Sequence, residues 1–293
     1  MQVTRKMKTS RILAAAAAVS LSLGASFARA GGLPYSTSFE TTPDAQGQTY
    51  TTGNIQGQNG WVNETGEPAG EATVTNTTAA NGSQSVQITS QSNGYADYYN
   101  SSLADHPAAG TNASPAGTPL NPATYGGIVD ITFSLDHASP GNGETSNPLN
   151  RSGFGLDVLD QNDNIIASLF TKTSVSGQND LVVTNGTSTP DTTVAGPAGA
   201  GLPDNTWGTY HMELNFNNDT FTVFVNGNAA SATYAMNSLA GNQIGGIAFA
   251  TDGSGTNTAF FDSLSVVPEP ASVGMVSLGG LLMLAKRRRA RLA

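Results

Sequence analysis

Three histidines, His106, His137 and His211, are the residues of this chain best suited to move protons or hold a transition metal, and their spacing argues against both. None belongs to a His-Glu-x-x-His pattern or stands at paired-ligand distance from another, so no zinc site assembles from sequence neighbours. Cysteine is absent, which removes thiolate nucleophiles, sulfur-ligated metals and disulfides together. No Gly-x-Ser-x-Gly elbow and no phosphate-cradling loop occurs. Retaining glycoside hydrolysis needs two carboxyl groups about 5–5.5 Å apart. Glu213 is followed by Leu214 and Asn215 rather than by further acids, and Glu64, Glu67 and Glu71 read as solvated loop charge. No catalytic residue is assigned.

Binding chemistry is better represented. Asp157, Asp160 and Asp163, with Asn162 and Asn164, gather carboxylate and amide oxygens, the ligand type Ca2+ prefers. The spacing is not that of an EF-hand loop, and the same side chains make Asx turns with their own backbone. Asp262, beside Phe260 and Phe261, is either a buried hydrogen-bond acceptor or a cation ligand at a strand edge. Ca2+ is therefore the one candidate cofactor. Trp61, Tyr95 and Tyr99 are the candidate glycan-binding rings, since an aromatic face offers dispersion and C–H contact to a pyranose. The domain is poor in large apolar residues, so Trp61 and Trp207 are also wanted in its core.

The elements that must position these residues are strands. Apolar residues alternate with polar ones in Val129, Ile131, Phe133, Leu135, and again in Phe154, Leu156, Val158, in Tyr210, Met212, Leu214, Phe216, and in Phe221, Val223, Val225. Each run is expected as a half-buried strand. Residues 217–220 join the last two as a hairpin, and Asn226-Gly227 signals a type I′ turn into a further strand near 229–234. Weaker strands are expected near 36–40, 84–89, 95–99, 165–170, 181–184, 246–250 and 259–266. About a dozen short antiparallel strands imply an all-β, double-sheet jelly-roll sandwich. Three stretches, 103–126, 138–150 and 185–205, are too long for ordinary turns and are expected to be functional or disordered.

The two ends read differently from the middle. Arg5, Lys6, Lys8 and Arg11 precede an apolar run, and Ala28-Arg29-Ala30 makes a small-x-small cleavage site, so residues 1–30 are expected to be a secretory signal peptide removed by signal peptidase. At the other end Pro268, Glu269 and Pro270 precede an uncharged apolar stretch, 271–285, and then Lys286, Arg287, Arg288, Arg289 and Arg291. As a helix, 271–285 spans roughly 22 Å, short of the ~30 Å hydrocarbon core unless it snorkels or thins the bilayer. The cations keep that end cytoplasmic and leave residues 31–267 outside. Those residues keep only Arg151 and Lys172 against twenty carboxylates, a charge that repels nucleic acid and anionic lipid.

In the order of its parts this tail resembles the PEP-CTERM sorting signal of Gram-negative bacteria. The resemblance implies a transient transmembrane helix over 271–285, recognition of Pro268, Glu269 and Pro270 by an exosortase-type membrane protease, a cytoplasmic stop at Lys286–Arg291, and delivery to the cell surface or extracellular space. A second resemblance covers about sixty residues. Trp207–Leu214, Phe221–Gly227 and Phe260–Val266 look like the closing strands of concanavalin-A-like and laminin-G-like sandwiches. Glucanases of that class carry a Glu-x-Asp-x-x-Glu strand, which this chain lacks. The expected function is a non-catalytic surface or matrix protein with affinity for extracellular polysaccharide. The alternative is a polysaccharide-degrading hydrolase or lyase whose acids come from distant strands.

Overall fold

A computed structural model describes residues 35–44, 47–63, 72–89, 98–100, 120–138, 153–162, 164–172, 180–186, 192–194, 202–203, 205–238, 240–252 and 258–268. All fall within the unit Leu33–Ala293. In chain order the strands begin with β1 Tyr35–Thr37, β2 Gly53–Asn54, β3 Trp61–Asn63, β4 Ala72–Thr75, β5 Ser85–Thr89 and β6 Tyr98–Asn100. The middle of the chain supplies β7 Ile128–Ala138, β8 Gly153–Asp160, β9 Ile165–Lys172, β10 Asp180–Thr184 and β11 Thr192–Thr193. Then come β12 Gly208–Asn215, β13 Thr220–Val225, β14 Asn228–Ala229, β15 Tyr234–Ala235, β16 Ile244–Asp252 and β17 Thr258–Pro268.

These strands form two antiparallel sheets. Sheet A has ten strands in the order β14-β13-β12-β7-β17-β5-β4-β2, with β1 also on β17 and β15 also on β13. Sheet B has seven, in the order β11-β10-β9-β8-β16-β6-β3. The expected all-β double-sheet architecture is what the chain adopts. Asn226 and Gly227 take positive φ, 48° and 77°, the geometry a type I′ turn requires. The strand expected near 229–234 is split into β14 and β15.

Alternation builds sheet A. Along β12, Tyr210, Met212 and Leu214 are buried while Thr209, His211 and Glu213 reach the outer face. β13 follows suit with Phe221, Val223 and Val225 inside. The inner faces meet over Phe249 of β16, whose ring stacks on Phe261 of β17 at 4.4 Å and on Trp61 of β3 at 4.8 Å. Each such ring fully withdrawn from water contributes about 1.5–3 kcal/mol. His137 belongs to this core. It lies edge-on to Phe154 at 5.0 Å across the sheet interface, and burial pushes it down to about 4, so it is neutral packing.

Sheet B departs from the expectation of half-buried strands. Every residue of β8 is buried, and on β9 only Ile165 is not. Phe154, Leu156 and Val158 face the core, and the intervening Gly155 and Asp157 are equally hidden on the other face. Of the three long stretches, only 120–126, Ala138 and parts of 185–205 are among the described residues. Pro122–Tyr125 forms a 3-10 turn capped by Asn121, whose Oδ1 accepts from the Ala123 N–H at 3.0 Å.

Candidate functional site

Cross-strand register places Asp157, Ser168 and Lys172, with Thr184 and Asp180, on the outer face of sheet B. Thr184, Ser168, Asp157 and Ala248 fall in one row across β10, β9, β8 and β16, and the row continues to position 99 on β6. The next row holds Val182, Phe170, Gly155 and Ala250, and the one beyond holds Asp180, Lys172 and Gly153. Directly opposed residues of antiparallel strands share a face. Phe170, Val182, Ala248 and Ala250 are buried but lie outside the core cluster between the sheets, which assigns the face independently.

Glycines shape this face. A Cβ on Gly153 would come within 2.7 Å of Lys172 Cδ, and one on Gly155 would strike the Leu169 carbonyl and reach within 2.7 Å of the Phe170 ring. Lys172 therefore lays its stem over β8, with Nζ 5.5 Å from the Phe170 centroid. It is fully buried, and it is one of two cations left in residues 31–267. Gly155, Ala248 and Ala250 leave a low apolar strip between this lysine and Asp157. Ser168, also fully buried, has an Oγ that makes no hydrogen bond. A buried hydroxyl without a partner costs about 1–3 kcal/mol, so its place beside a carboxylate marks unused bonding capacity. Together the face gathers a carboxylate, a hydroxyl and a cation around a flat apolar strip, all of them buried.

The other expected site residues are dispersed. Trp61 is a correction: it is wholly buried, donates Nε1–H to the Tyr50 hydroxyl at 3.1 Å, and tilts against Phe39, so no face is left for a sugar. The core needed it because the chain has so few large apolar residues. Tyr99 occupies β6 on the Asp157 row by register, while Tyr95 and Asp163 lie outside the described residues. Pro268 ends β17. Ala28, Ala30, Glu269, Pro270, the apolar segment 271–285, Lys286, Arg287, Arg288, Arg289 and Arg291 also lie outside the described residues. Among the described residues no helix is long and apolar enough to cross a membrane.

Two of the carboxylates expected to take Ca2+, Asp160 and Asp262, are filled by N–H donors. Asp160 Oδ1 accepts from the backbone of Asn162 at 2.7 Å and Asn164 at 2.9 Å, while Oδ2 accepts from Asn164 Nδ2 at 3.0 Å and Gly241 N at 2.6 Å. Burial raises its pKa, but these hydrogen bonds outweigh burial and hold it below 3.8. Asp262 accepts from Ala80 N at 3.0 Å, Asn81 N at 2.8 Å and Ser263 N at 2.6 Å. Burial pushes it up to about 6 against those bonds, with Glu40 adding to the rise. Glu40 takes the next donors of the same loop, Ser83 N at 2.7 Å and Gln84 N at 2.9 Å. The two carboxylates thus clasp the β4–β5 loop. Among the described residues no three His, Asp or Glu side chains gather to hold a metal.

Sequence reasoning missed Ser168, Lys172 and Glu40. Ser168 and Lys172 sit in Ile-Ile-Ala-Ser-Leu-Phe-Thr-Lys, where a strand wet on one face would place a Ser and a Lys without consequence. The signal that could have found them is the small residues of β8 and β16, Gly153, Gly155, Ala248 and Ala250, which make sense only beneath something that covers them. His211 is half-buried on β12. Its Nε2 lies 2.7 Å from Asp130 Oδ1 on the outer face of sheet A, and its ring stacks on Phe224 at 4.7 Å. Trp207 is half-buried, donating Nε1–H to Thr78 Oγ1 at 3.1 Å.

No protein-family profile matches this sequence, and no curated protein matches it. Solved structures do match. A carbohydrate esterase from Shiga toxin-encoding bacteriophage phi24B aligns over 80% of this chain and 100% of its own, at 15% identity and a TM-score of 0.46. The T. cruzi calreticulin globular domain aligns over 76% of this chain and 90% of its own, at 10% identity and a TM-score of 0.44. A sialidase aligns over 76% of this chain at 10% identity and a TM-score of 0.45, the match spanning only 19% of the sialidase's length.

Proposed function

We propose that this chain is an exported, non-catalytic β-sandwich of concanavalin-A-like type, delivered to the bacterial cell surface or extracellular matrix by a PEP-CTERM tail, and that it binds extracellular polysaccharide on the outer face of sheet B. The observation that carries the binding reading is Ser168: its hydroxyl is fully buried and unbonded, on the same row as Asp157 and beside the strip of Gly155, Ala248 and Ala250. These groups are buried as the chain stands, so binding requires this face to be uncovered; a sugar hydroxyl would then satisfy Ser168 and donate to Asp157, while the C–H face of the ring rests on the strip. The non-catalytic reading is supported by spacing. From strand geometry Asp157 and Asp180 stand about 17 Å apart on this face, well beyond the ~5–9.5 Å of glycosidase pairs.

Export and sorting rest on the sequence of the two ends. The signal peptidase site at Ala30, the triplet at Pro268–Pro270 and the basic stop at Lys286–Arg291 are one coherent set of addresses. Purified residues 31–268, applied to a glycan array, should bind at least one neutral polysaccharide and release no reducing ends from it. Asp157→Asn should weaken that binding about tenfold or more, as expected for losing a buried charged acceptor. Release of reducing ends abolished by an acid-to-amide change would replace this reading with the enzymatic one.

A further inference from the structure

The fold places the first and last described strands side by side. Tyr35, the first residue of β1, is paired with Val266 near the end of β17, and on its other side Val266 is paired with Ile131 of β7. The chain therefore enters and leaves sheet A at one pole. β17 is an interior strand there, held by β1 and β7, and its last residue, Pro268, is buried and paired with Val129. No spacer separates the sheet from Glu269. Three residue steps from Pro268 to Ala271 reach at most about 11 Å, so the start of the apolar stretch stays that close to the pole.

The described surface around this exit is low in charge. The pole is built from the turns that begin β7 and join β12 to β13. Asn217 Nδ2 donates to the Gly126 carbonyl at 2.8 Å, and Phe216 N donates to the Gly127 carbonyl at 2.8 Å, tying the two turns into one rim. Asn121, Asn217 and Asn218 are exposed and uncharged, and among the described residues of these two turns Asp219 is the one carboxylate. Val267, 37% exposed, is the one large exposed apolar side chain among the described residues, and it stands at the exit.

Building on the sorting-tail reading, we infer that the sandwich is held against a lipid bilayer by this pole, with Asn121, Asn217, Asn218 and Val267 at the headgroups and the strands of sheet A directed away from the membrane. Its opposite end, with the Asn226-Gly227 turn, then points outward. Thr209 lies five residues from the pole by register with Ser134, about 17 Å up the sheet.

The absence of native cysteine makes single labels clean. The full chain carrying Asn218→Cys or Thr209→Cys, each with a fluorophore, would be reconstituted into phosphatidylcholine vesicles containing a headgroup nitroxide lipid. The expected result is loss of fluorescence at position 218 and none at 209. Ala123→Cys at the rim and Ala229→Cys above it form a second pair, should either first variant fail to fold. Equal quenching at the two heights, or stronger quenching at 209, would overturn the inference. The sorting reading fails separately, if protein from a Gram-negative host retains its tail, since a retained tail still anchors the chain and leaves the quenching pattern readable. A full chain that does not float with the vesicles would overturn both.

Discussion

The outer face of sheet A around β12 and β13 and the outer face of sheet B obey different rules, although sheet A too buries Ser134 and Asp136 nearer β17. On sheet A, Thr132, His211 and Phe224 share one row and Asp130, Glu213 and Thr222 the next, all partly exposed beside neatly buried neighbours. On sheet B the corresponding face hides a carboxylate, a hydroxyl and a lysine. A polar group on a wet face loses little if its partner is removed, because water replaces the partner. A polar group on a dry face must be satisfied internally, and Ser168 is not. The difference teaches that an unsatisfied hydroxyl is unremarkable where the face is wet and costly where it is dry.

The largest expected effect lies where the two sheets meet. Phe249→Ala removes a ring that contacts Trp61, Phe39 and Phe261, and should cost about 3–5 kcal/mol in denaturant unfolding. A cost below about 1 kcal/mol would mean that the sheets do not share this core.

Next come two glycines, one per sheet. Gly155→Ala on sheet B forces a methyl into the Leu169 carbonyl and the Phe170 ring and should cost about 1–3 kcal/mol. Gly227→Ala in the sheet A hairpin meets open space, so only its positive φ is penalised, at about 1 kcal/mol. Equal melting shifts for the two would break the contrast between a covered face and an open one.

The clasp on the β4–β5 loop sharpens the comparison through pH. Asp262 has its folded pKa raised to about 6, so its contribution to stability is fully present below its ordinary 3.8 and is lost as pH rises through about 6. Glu40 has the opposite sign. Burial pushes it up, but hydrogen bonds from Ser83 and Gln84 outweigh that and hold it below 4.5, so its contribution is present above 4.5 and is lost as pH falls through its lowered value. Melting curves from pH 3 to 8 should therefore lose part of their alkaline decline in Asp262→Asn and part of their acid decline in Glu40→Gln. The reverse assignment would show that the carboxylates do not bind the loop as described.

The smallest effect belongs to the open face. The His211–Asp130 pair is partly exposed, and Asp130→Asn should change stability by only about 0.2–1 kcal/mol. A larger loss would place that pair in the same class as the buried groups of sheet B.

What could be read from the sequence follows the same division. Sheet A was legible because one face is wet: Tyr210, Met212, Leu214 against Thr209, His211, Glu213 is a period that water enforces. The Asn226-Gly227 turn was legible because few residue pairs take positive φ at both positions. Sheet B was read as strands but not as a doubly buried sheet, since burial of Gly155, Asp157, Ser168 and Lys172 is decided by distant segments and leaves no local period. For the same reason Trp61 was named for a glycan surface, when the packing of Phe39, Tyr50 and Phe249 around it fixes it inside.

Ser168→Ala tests the account most directly, because stability and binding should move in opposite directions. Removing an unpartnered buried hydroxyl should leave the melting temperature unchanged or higher, while binding to the array glycan recognised by residues 31–268 should fall about tenfold. A variant that loses stability and keeps its glycan affinity would show that Ser168 serves the fold and that the outer face of sheet B is not the binding site.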